Sequence, residues 1–457
     1  MALIDRAAPP RRVGVWVPVA LAVGSVVAVT VWAGLGLLSL QGVALLAIAA
    51  PLGLLFTLYS IPQSLVVLAP ALMPLPLVSV IFPHEIAFGL LTGVLLLQGF
   101  HHRASWIGRL ETLELANLAF VGWALFSVFW CNETILYLLG ARRLIVGWAS
   151  FWVAYRIARL VPRRWYELGL VAGAISLALS ALAVRLSGGF SEAQLRTNRA
   201  AATDLGWGTA NYIATILLVL SPLILDLAFR ARERWLKWLA WPCLSLIALM
   251  QTIIASRAAT ILFIGGTLVQ VSGRRARGRW LAVVGVALAL AGLLATPFGQ
   301  GFLARFTSPR ELGSMVIRIW FFRDAWRRVT DNLPWGMGLD QGWVYPDHLA
   351  YNDPHNYWLA VGSELGVLGV LGWFLVLVLL WRRISTVVST PGWDYEGRAL
   401  QIAFLVSQLH TLVEPTFQGP HYQFVYFWVM GGYLGYHALH LERGTPSRVY
   451  APASSER

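Results

Sequence analysis

Long apolar runs recur along almost the whole of this chain, and they constrain its fold more than any other feature. As a helix, a run of about 18 or more apolar residues can cross the roughly 30 Å hydrocarbon core of a bilayer. Hydrophobic residues make up 58% of the 457 residues and charged residues only 12%, whereas soluble domains carry about 25% charged residues. The sequence therefore predicts an all-α polytopic membrane protein.

The positive-inside rule orients the predicted spans, because short cytoplasmic connections are rich in arginine and lysine. Four basic segments, 101–109, 156–165, 230–238 and 274–279, fall on one side together with the arginine-bearing N-terminus. Both termini are therefore predicted to be cytoplasmic, and the net charge of +13 fits such loops better than a nucleic-acid partner. About 14 transmembrane helices are expected, or about 12 if two proline-containing N-terminal runs are broken or re-entrant. The predicted spans lie near 13–34, 41–60, 63–82, 84–100, 113–130, 134–155, 166–187, 209–228, 239–256, 257–272, 280–298, 356–381, 397–413 and 422–440.

The chain is predicted to have three parts. Residues 1–190 are N-terminal transmembrane helices, 191–443 form a second membrane region, and 444–457 are a disordered cytoplasmic tail. The second region contains the one long external segment, 299–355, and a shorter one at 188–208.

The centre of the long external segment, 314–332, is predicted to be an amphipathic helix on the membrane surface. Its apolar side would contact the membrane, and its basic side would contact phosphate or water. The first set is Trp320, Phe321 and Trp326, and the second is Arg323, Arg327 and Arg328. The following stretch, 334–343, is rich in residues typical of turns.

Arginines on the external face and within the membrane are unexpected. An arginine at membrane depth costs roughly 2.5–3.5 kcal/mol, so such residues usually face a polar cavity. The set comprises Arg142 and Arg143 inside a predicted span, Arg257 beside Ser256 at the outer end of a helix hairpin, and Arg196, Arg199, Arg318 and Arg323 in external segments. A guanidinium keeps its proton and gives a phosphate two charge-assisted hydrogen bonds. These arginines are therefore candidate ligands of phosphate or pyrophosphate; the alternative is snorkelling or contact with lipid headgroups.

His355 lies at the outer end of a predicted span, where a polar substrate can reach it. Histidine side chains change charge between pH 5 and 8, so His355 is a candidate general base. Asn356 would orient it or bind a sugar, and Asp353 or Glu364 would orient the imidazole. The alternative interpretation is a surface histidine that flanks a helix. A metal site built from Asp347, His348, Asp353 and His355 does not follow a known ligand spacing.

Four motifs in order are similar to those of one known family. His355 and Asn356 are followed, after nine residues, by Gly366 and Gly369. LGWGTANYIA (205–214) contains Asn211 in a Gly…Asn-x-x-Ala helix start, and IIASRAA (253–259) contains a Ser-Arg pair. An Arg…Trp segment that begins at Arg318 runs into a Pro-x-Gly-x-Gly turn. Over roughly 200–370 the chain resembles the O-antigen ligase and polymerase superfamily.

This resemblance implies a multi-helix glycosyltransferase of the GT-C type in the bacterial inner membrane. It implies that 191–443 is the catalytic region, with its active site facing the periplasm, and that a glycan is taken from undecaprenyl pyrophosphate without a metal or other cofactor. A ligase transfers the glycan to lipid A-core, and a polymerase transfers it to another lipid-linked repeat. The implied catalytic residues are His355, Arg257 and Arg318. The substrate-binding candidates are Arg142, Arg143, Arg196, Arg199, Asn211, Ser256, Arg323 and Asn356.

The choice between ligase and polymerase depends on the external segments. Polymerases of this kind commonly have two sizeable arginine-rich external loops, whereas this chain has one long and one short loop. The sequence therefore favours a ligase with inverting chemistry, with an O-antigen or exopolysaccharide polymerase as the main alternative. A relative that glycosylates proteins is a lesser alternative. A lipid or polysaccharide transporter is another, since many transporters contain internal repeats and none is visible in this sequence.

Overall fold

The computed structural model describes residues 61–75, 82–101, 110–187, 210–254, 256–272, 309–341 and 354–444. These residues form twelve α-helices and two short 3₁₀ helices, and no β-strand occurs among them, which confirms the all-α prediction. The helices are α1 Ile61–Ala71, α2 Pro83–His101, α3 Thr112–Phe126, α4 Thr134–Ile157, α5 Arg163–Ser187, α6 Ala210–Arg230, α7 Arg234–Ile254, α8 Arg257–Ser272, α9 Pro309–Asp331, α10 Tyr357–Ser389, α11 Asp394–Thr411 and α12 Pro420–Gly444. The 3₁₀ helices are Ser127–Phe129 and Thr416–Gln418.

The described helices include several that can cross a membrane. Five are long and apolar enough by length and composition, at Thr112–Phe129, Arg163–Ala183, Asn211–Arg230, Arg234–Ile254 and Tyr357–Ser389. Three shorter apolar helices are Ile61–Ala71, Pro83–Leu97 and Arg257–Ser272. The protein is therefore a multi-pass α-helical membrane protein. The predicted spans 13–34, 41–60 and 280–298 and the predicted tail lie outside the described residues.

Two of the basic connections, 156–165 and 230–238, lie at one end of the helix bundle, which we call the basic end. There the start of α5, the end of α6 and the start of α11 meet, because Arg163 and Arg230 both bind Glu396, at 3.4 and 3.3 Å. The Arg163 guanidinium also lies 4.8 Å from the ring centroid of Trp393. This grouping agrees with the predicted common side for these connections. The opposite end, where α10 begins and α11 ends, is called the His355 end.

Helices from the first and last parts of the chain pack into one core. α4 and α12 lie so close that a Cβ atom at Gly431 or Gly435 would overlap the backbone of Phe151 or Tyr155. Small residues spaced four apart permit such close approach of membrane helices. Helices from the two sides of the predicted boundary at residue 190 therefore share one core. The contact also places the connection before α12 beside the start of α4.

α10 is interrupted at Gly366, and the interruption holds the external segment in place. Gly366 has φ +63° and ψ −161°, a conformation essentially restricted to glycine. The turn that begins at Pro334 fits against this break. Its amides at Met337 and Gly338 donate to the carbonyls of Ser363 and Glu364, both at 2.8 Å, and Pro334 accepts from Val367 at 3.0 Å. The Pro-x-Gly-x-Gly turn and the GxxG motif are therefore two halves of one joint.

Candidate functional site

α9 presents one face to α10 and another to its surroundings. Phe321 stacks on the imidazole of His355, with ring centroids 5.5 Å apart and planes at 29°. Arg328 is only 2% exposed and pairs with Asp324 one turn earlier. The predicted membrane contact of Phe321 and the predicted outward direction of Arg328 are therefore wrong. Phe321, Ala325 and Arg328 lie on one face of α9, because they are spaced three or four residues apart. This face packs towards His355.

The outer face of α9 follows the prediction more closely. Trp320 and Trp326 are 64% and 59% exposed, and Arg323 and Arg327 are also exposed. Arg323 therefore lies on the face that points away from His355. The helix is amphipathic, but not in the way expected from the sequence, which predicted one apolar face and one basic face. In the structure, the exposed face carries both tryptophans and both arginines, and the other face packs towards His355.

Asn356 fixes the backbone next to His355. It is the N-cap of α10, because its Oδ1 accepts from the backbone amide of Leu359 at 3.0 Å. Its Nδ2 donates to the carbonyl oxygen of Leu412 at 3.1 Å. His355 itself has φ +47°, which is uncommon for a residue with a Cβ atom. Asn356 thus joins the start of α10 to the end of α11 and sets the direction of the neighbouring imidazole.

Glu414 is the acceptor on which the site converges. It lies in the connection between α11 and α12 and is buried. Its Oε2 lies 3.3 Å from Nδ1 of His355. Its Oε1 accepts from Nη2 of Arg318 at 2.5 Å and from Nδ2 of Asn211 at 2.8 Å. Three of the predicted site residues, from α6, α9 and the segment before α10, are thereby brought together.

The charges of this group define the roles of its atoms. Burial raises the pKa of the Glu414 carboxyl, but the hydrogen bond from His355 and the charge of Arg318 lower it by more, so that its pKa lies below the ordinary value. An ionised carboxylate only accepts hydrogen bonds. When the imidazole is neutral, this contact places its proton on Nδ1 and its lone pair on Nε2. A histidine oriented in this way can take a proton from a hydroxyl group.

Helices α6 and α8 run in the same direction. Hydrogen bonds through Gln251 of α7 show where the start of α8 lies relative to the start of α6. Thr260 donates to the carbonyl of Gln251 at 3.1 Å, and the Gln251 side chain donates to the carbonyl of Ala214 in α6 at 2.8 Å. Further along both helices, Gln270 donates to the carbonyl of Pro222 at 2.7 Å. The two helices are thus in register from their first turns onward.

Arg257 begins α8 at the His355 end. It lies one turn before Thr260, just as Asn211 lies one turn before Ala214, so Arg257 and Asn211 are at similar heights in the bundle. Ser256 is buried, and its carbonyl accepts from the amide of Thr260 at 2.9 Å. The geometry thus places the Ser-Arg motif at the level of the Glu414 group.

Arg143 belongs to a second, more enclosed cluster at this end. It donates from Nη1 to the carbonyl of Gln418 at 2.6 Å and from Nη2 to Asp340 at 3.2 Å. Glu364 completes the cluster by accepting from the Asp340 amide and the Gln418 side chain, both at 3.1 Å. Glu364 therefore serves this cluster and Glu414 is the acid beside His355, while Asp353 lies outside the described residues.

The remaining predicted arginines lie elsewhere. Arg142 pairs with Glu85, with Nε 3.2 Å from Oε1, and its guanidinium lies 5.1 Å from the ring centroid of Phe82. Arg196 and Arg199 lie outside the described residues. The described geometry therefore brings together His355, Arg318, Asn211 and Asn356, with Arg257 and Ser256 at the same level, and leaves Arg142, Arg143 and Arg323 in other surroundings.

Glu414 is the functional residue that sequence reasoning missed. The available signal was an acidic residue followed by proline, Glu414-Pro415, at the outer end of a predicted span. A carboxylate at such a position is as costly as an arginine unless it is paired. The same reasoning that singled out the arginines therefore applied to it.

This end of the membrane helix bundle holds a histidine, an arginine and a buried carboxylate. Such groups suit a transferase that acts on hydroxyl groups and anionic leaving groups. The comparison with known families is consistent with this class. Residues 242–374 match the family model described as "O-Antigen ligase". The match confirms the resemblance to the O-antigen ligase and polymerase superfamily, and all of the four motifs except the one at 205–214 lie within the matched residues.

The matched segment includes Arg257, Arg318 and His355, whereas Asn211 and Glu414 lie outside it. A search among curated proteins gave no match. The family supports a transferase of the ligase or polymerase type.

Proposed function

We propose that the protein is an inverting membrane glycosyltransferase that moves a glycan from undecaprenyl pyrophosphate to a hydroxyl group of lipid A-core. The contact of His355 with Glu414, in the same group as Arg318, is the observation that carries this proposal. It joins a base to a residue suited to a phosphate at one end of a membrane bundle. The basic residues at the opposite end support an orientation in which the His355 end faces the periplasm and both termini are cytoplasmic.

In the proposed reaction, the acceptor hydroxyl attacks the anomeric carbon of the donor sugar. Nε2 of His355 takes the hydroxyl proton while the new carbon–oxygen bond forms. The bond from the anomeric carbon to phosphate oxygen breaks, and undecaprenyl pyrophosphate leaves with the electron pair. Attack opposite the leaving group inverts the anomeric configuration. Glu414 keeps Nδ1 protonated and balances the imidazolium that forms.

Arg318 and Arg257 have the task of stabilising the leaving pyrophosphate. Negative charge grows on the leaving oxygen during bond cleavage, and preorganised donors aimed at such charge are the largest single contribution in many enzymes. The side chain of Arg318 is 31% exposed, so a ligand can reach it. Arg257 lies at the level of Asn211 and can approach the same anion from α8. Because Arg257 and Arg318 lie on different helices, α8 and α9, the two arginines would be able to bind separate phosphates.

The experiment is an acceptor-competition assay on the full-length protein in lipid nanodiscs. One undecaprenyl-pyrophosphate glycan is supplied together with lipid A-core, or with a second lipid-linked repeat. Product on lipid A-core establishes the ligase, and a ladder of longer lipid-linked chains establishes the polymerase instead. The anomeric configuration of the product tests inversion.

Two histidine variants are compared in this assay. His355→Ala should lose transfer by about 10²-fold or more, the range for removal of a general base. His440→Ala, an exposed histidine near the basic end, is the matched control and should retain wild-type activity. A folded His355→Ala protein that still transfers glycan at the wild-type rate would refute the assigned base.

A further inference from the structure

The two oxygens of Glu414 are used unequally. Arg318 and Asn211 share Oε1, at 2.5 and 2.8 Å, whereas Oε2 faces His355 at the longer distance of 3.3 Å. The Glu414 side chain is 8% exposed and that of Arg318 is 31% exposed. Arg318 is therefore the partner that an incoming anion can reach, and the carboxylate behind it stays buried.

An anion that binds Arg318 competes with Glu414 for the positive charge of the guanidinium and for its Nη2 donor. In the structure, Nη2 donates to the carboxylate of Glu414 and Nη1 donates to the carbonyl of Val413 at 3.2 Å. A pyrophosphate carries more negative charge than one carboxylate and offers several acceptor oxygens for the planar fork. When Arg318 turns to such a ligand, Glu414 keeps Asn211 and His355 as partners.

We propose that Glu414 is a positioning residue that couples donor binding to the base: the donor's pyrophosphate draws Arg318 away from Glu414, and the freed carboxylate then holds and strengthens His355. This inference rests on the proposed function and adds an order of events to it. Without a donor, the negative charge of Glu414 is largely satisfied by Arg318. With a donor bound, the same charge stabilises the imidazolium that proton transfer creates. His355 is therefore the strongest base in the donor-bound enzyme.

Other charged or titratable groups surround the pair. His410, at the end of α11, is buried, and its Nδ1 lies 3.0 Å from Oγ1 of Thr215. Arg257 lies at the start of α8, at the level of Asn211. His410 is enclosed on α11, and Arg257 is on a different helix from the exchanging bond. The change in the field at His355 therefore comes mainly from Arg318, together with the charge of the donor itself.

The test separates donor binding from turnover in Glu414→Gln. The full-length protein in nanodiscs is titrated with undecaprenyl pyrophosphate, and kcat is measured in the transfer assay. Glutamine keeps the shape of the side chain but has no negative charge. Arg318 therefore has no ion pair to break when it binds the pyrophosphate. We expect Glu414→Gln to bind undecaprenyl pyrophosphate about tenfold more tightly, since a charged hydrogen bond is no longer lost, and its kcat to fall about 10²-fold. A merely structural role would weaken binding and turnover together.

A double-mutant cycle assigns the effect to Arg318. In the Arg318→Ala background, Glu414→Gln should leave the affinity for undecaprenyl pyrophosphate unchanged, because the competing guanidinium is gone. Glu133→Gln is the matched control: it removes an exposed carboxylate at the start of α4, and it should not alter affinity or kcat. Unchanged or weaker binding by folded Glu414→Gln would overturn the coupling, as would tightening that persists without Arg318.

A second measurement needs no variant and applies if Glu414→Gln does not fold. The acid limb of kcat reports the donor-bound enzyme, and that of kcat/KM reports the free enzyme. The limb of kcat should lie at higher pH, because His355 is the stronger base when donor is bound; coincident limbs would overturn the coupling. If the wild-type protein neither binds undecaprenyl pyrophosphate nor transfers glycan, the proposed function itself fails. If it does both and only the Glu414 effects are missing, the failure concerns the coupling alone.

Discussion

Gly366→Ala tests whether the break in α10 is what holds the external segment against the bundle. Gly366 has a backbone conformation that residues with a Cβ atom avoid, and an added Cβ would overlap the carbonyl oxygen of Pro334. The substitution must therefore either straighten the helix or displace the turn. Either change moves α9 and the segment before α10, which carry Arg318 and His355.

The magnitude follows from the contacts at the joint. Forcing alanine into this backbone conformation costs about 1–3 kcal/mol. Displacing the turn also loses the hydrogen bonds Met337 to Ser363, Gly338 to Glu364 and Val367 to Pro334. Each contributes about 0.5–1.5 kcal/mol. The expected loss of stability is therefore about 3–7 kcal/mol, and transfer activity should fall as well.

The assay is the midpoint of thermal unfolding in detergent, combined with the glycan-transfer rate in nanodiscs. Gly93→Ala is the matched control, because a Cβ there meets nothing within 4 Å and alanine favours a helix by about 1 kcal/mol. We expect Gly366→Ala to lower the midpoint by at least about 5 °C and Gly93→Ala to leave it unchanged or slightly higher. Equal midpoints and equal transfer rates for the two variants would refute the assigned role of the joint.

Three further predictions concern other contacts of the His355 end. Arg143→Met should reduce stability by about 3–5 kcal/mol, because it leaves Asp340 and Glu364 buried without their cation; a thermal midpoint within 1–2 °C of the wild type would contradict this. Phe321→Ala should lower the transfer rate through loss of stacking on His355, while Trp320→Ala on the exposed face should not, and equal rates for the two variants would contradict the stacking role. The pKa of Glu414 is depressed on folding, so its contribution to stability is present above the ordinary carboxyl pKa of about 4.3 and is lost as the pH falls through the folded value. The difference in midpoint between the wild type and Glu414→Gln should therefore be greatest near pH 7 and shrink in acid, and a difference independent of pH would contradict the ionised state.

Hydropathy predicted the positions of the helices well, because the length of an apolar run is set by the membrane and needs no knowledge of neighbours. The span predicted over 134–155 is α4, Thr134–Ile157, and the span predicted over 397–413 is α11, Asp394–Thr411. The GxxG motif and the turn residues were recognised separately. Their contact across Gly366 and Pro334 was not, because hydropathy does not say which segment meets which.

The site was predicted in part, and the division follows from the same limit. His355 was recognised as a candidate base at the outer end of a span, and Arg318 was recognised separately as an unexpected arginine in an external segment. Asn211 and Glu414 are 203 positions apart, so their hydrogen bond depends on the order of helices in the bundle. Phe321 was placed on the membrane because an aromatic residue on an amphipathic helix fits a lipid surface and a histidine ring equally well.

A comparison of two arginine–carboxylate pairs at the His355 end shows why one position is better suited to a ligand and the other to structure. Arg143 and Asp340 have side chains only 10% and 8% exposed, and Arg143 also binds the carbonyl of Gln418. Breaking such a pair leaves a buried charge, which costs several kcal/mol. Arg318 and Glu414 differ because Arg318 is three times as exposed as Arg143, and Asn211 and His355 remain to satisfy the carboxylate when Arg318 turns away.

An anion can therefore replace the carboxylate at Arg318 without stranding a charge, whereas at Arg143 it would leave Asp340 buried without its cation. Both arginines are unexpected at this depth, and the sequence alone treats them alike. The number of remaining partners on the carboxylate, together with the exposure of the guanidinium, favours Arg318 over Arg143 as the ligand of an anionic substrate in the proposed function.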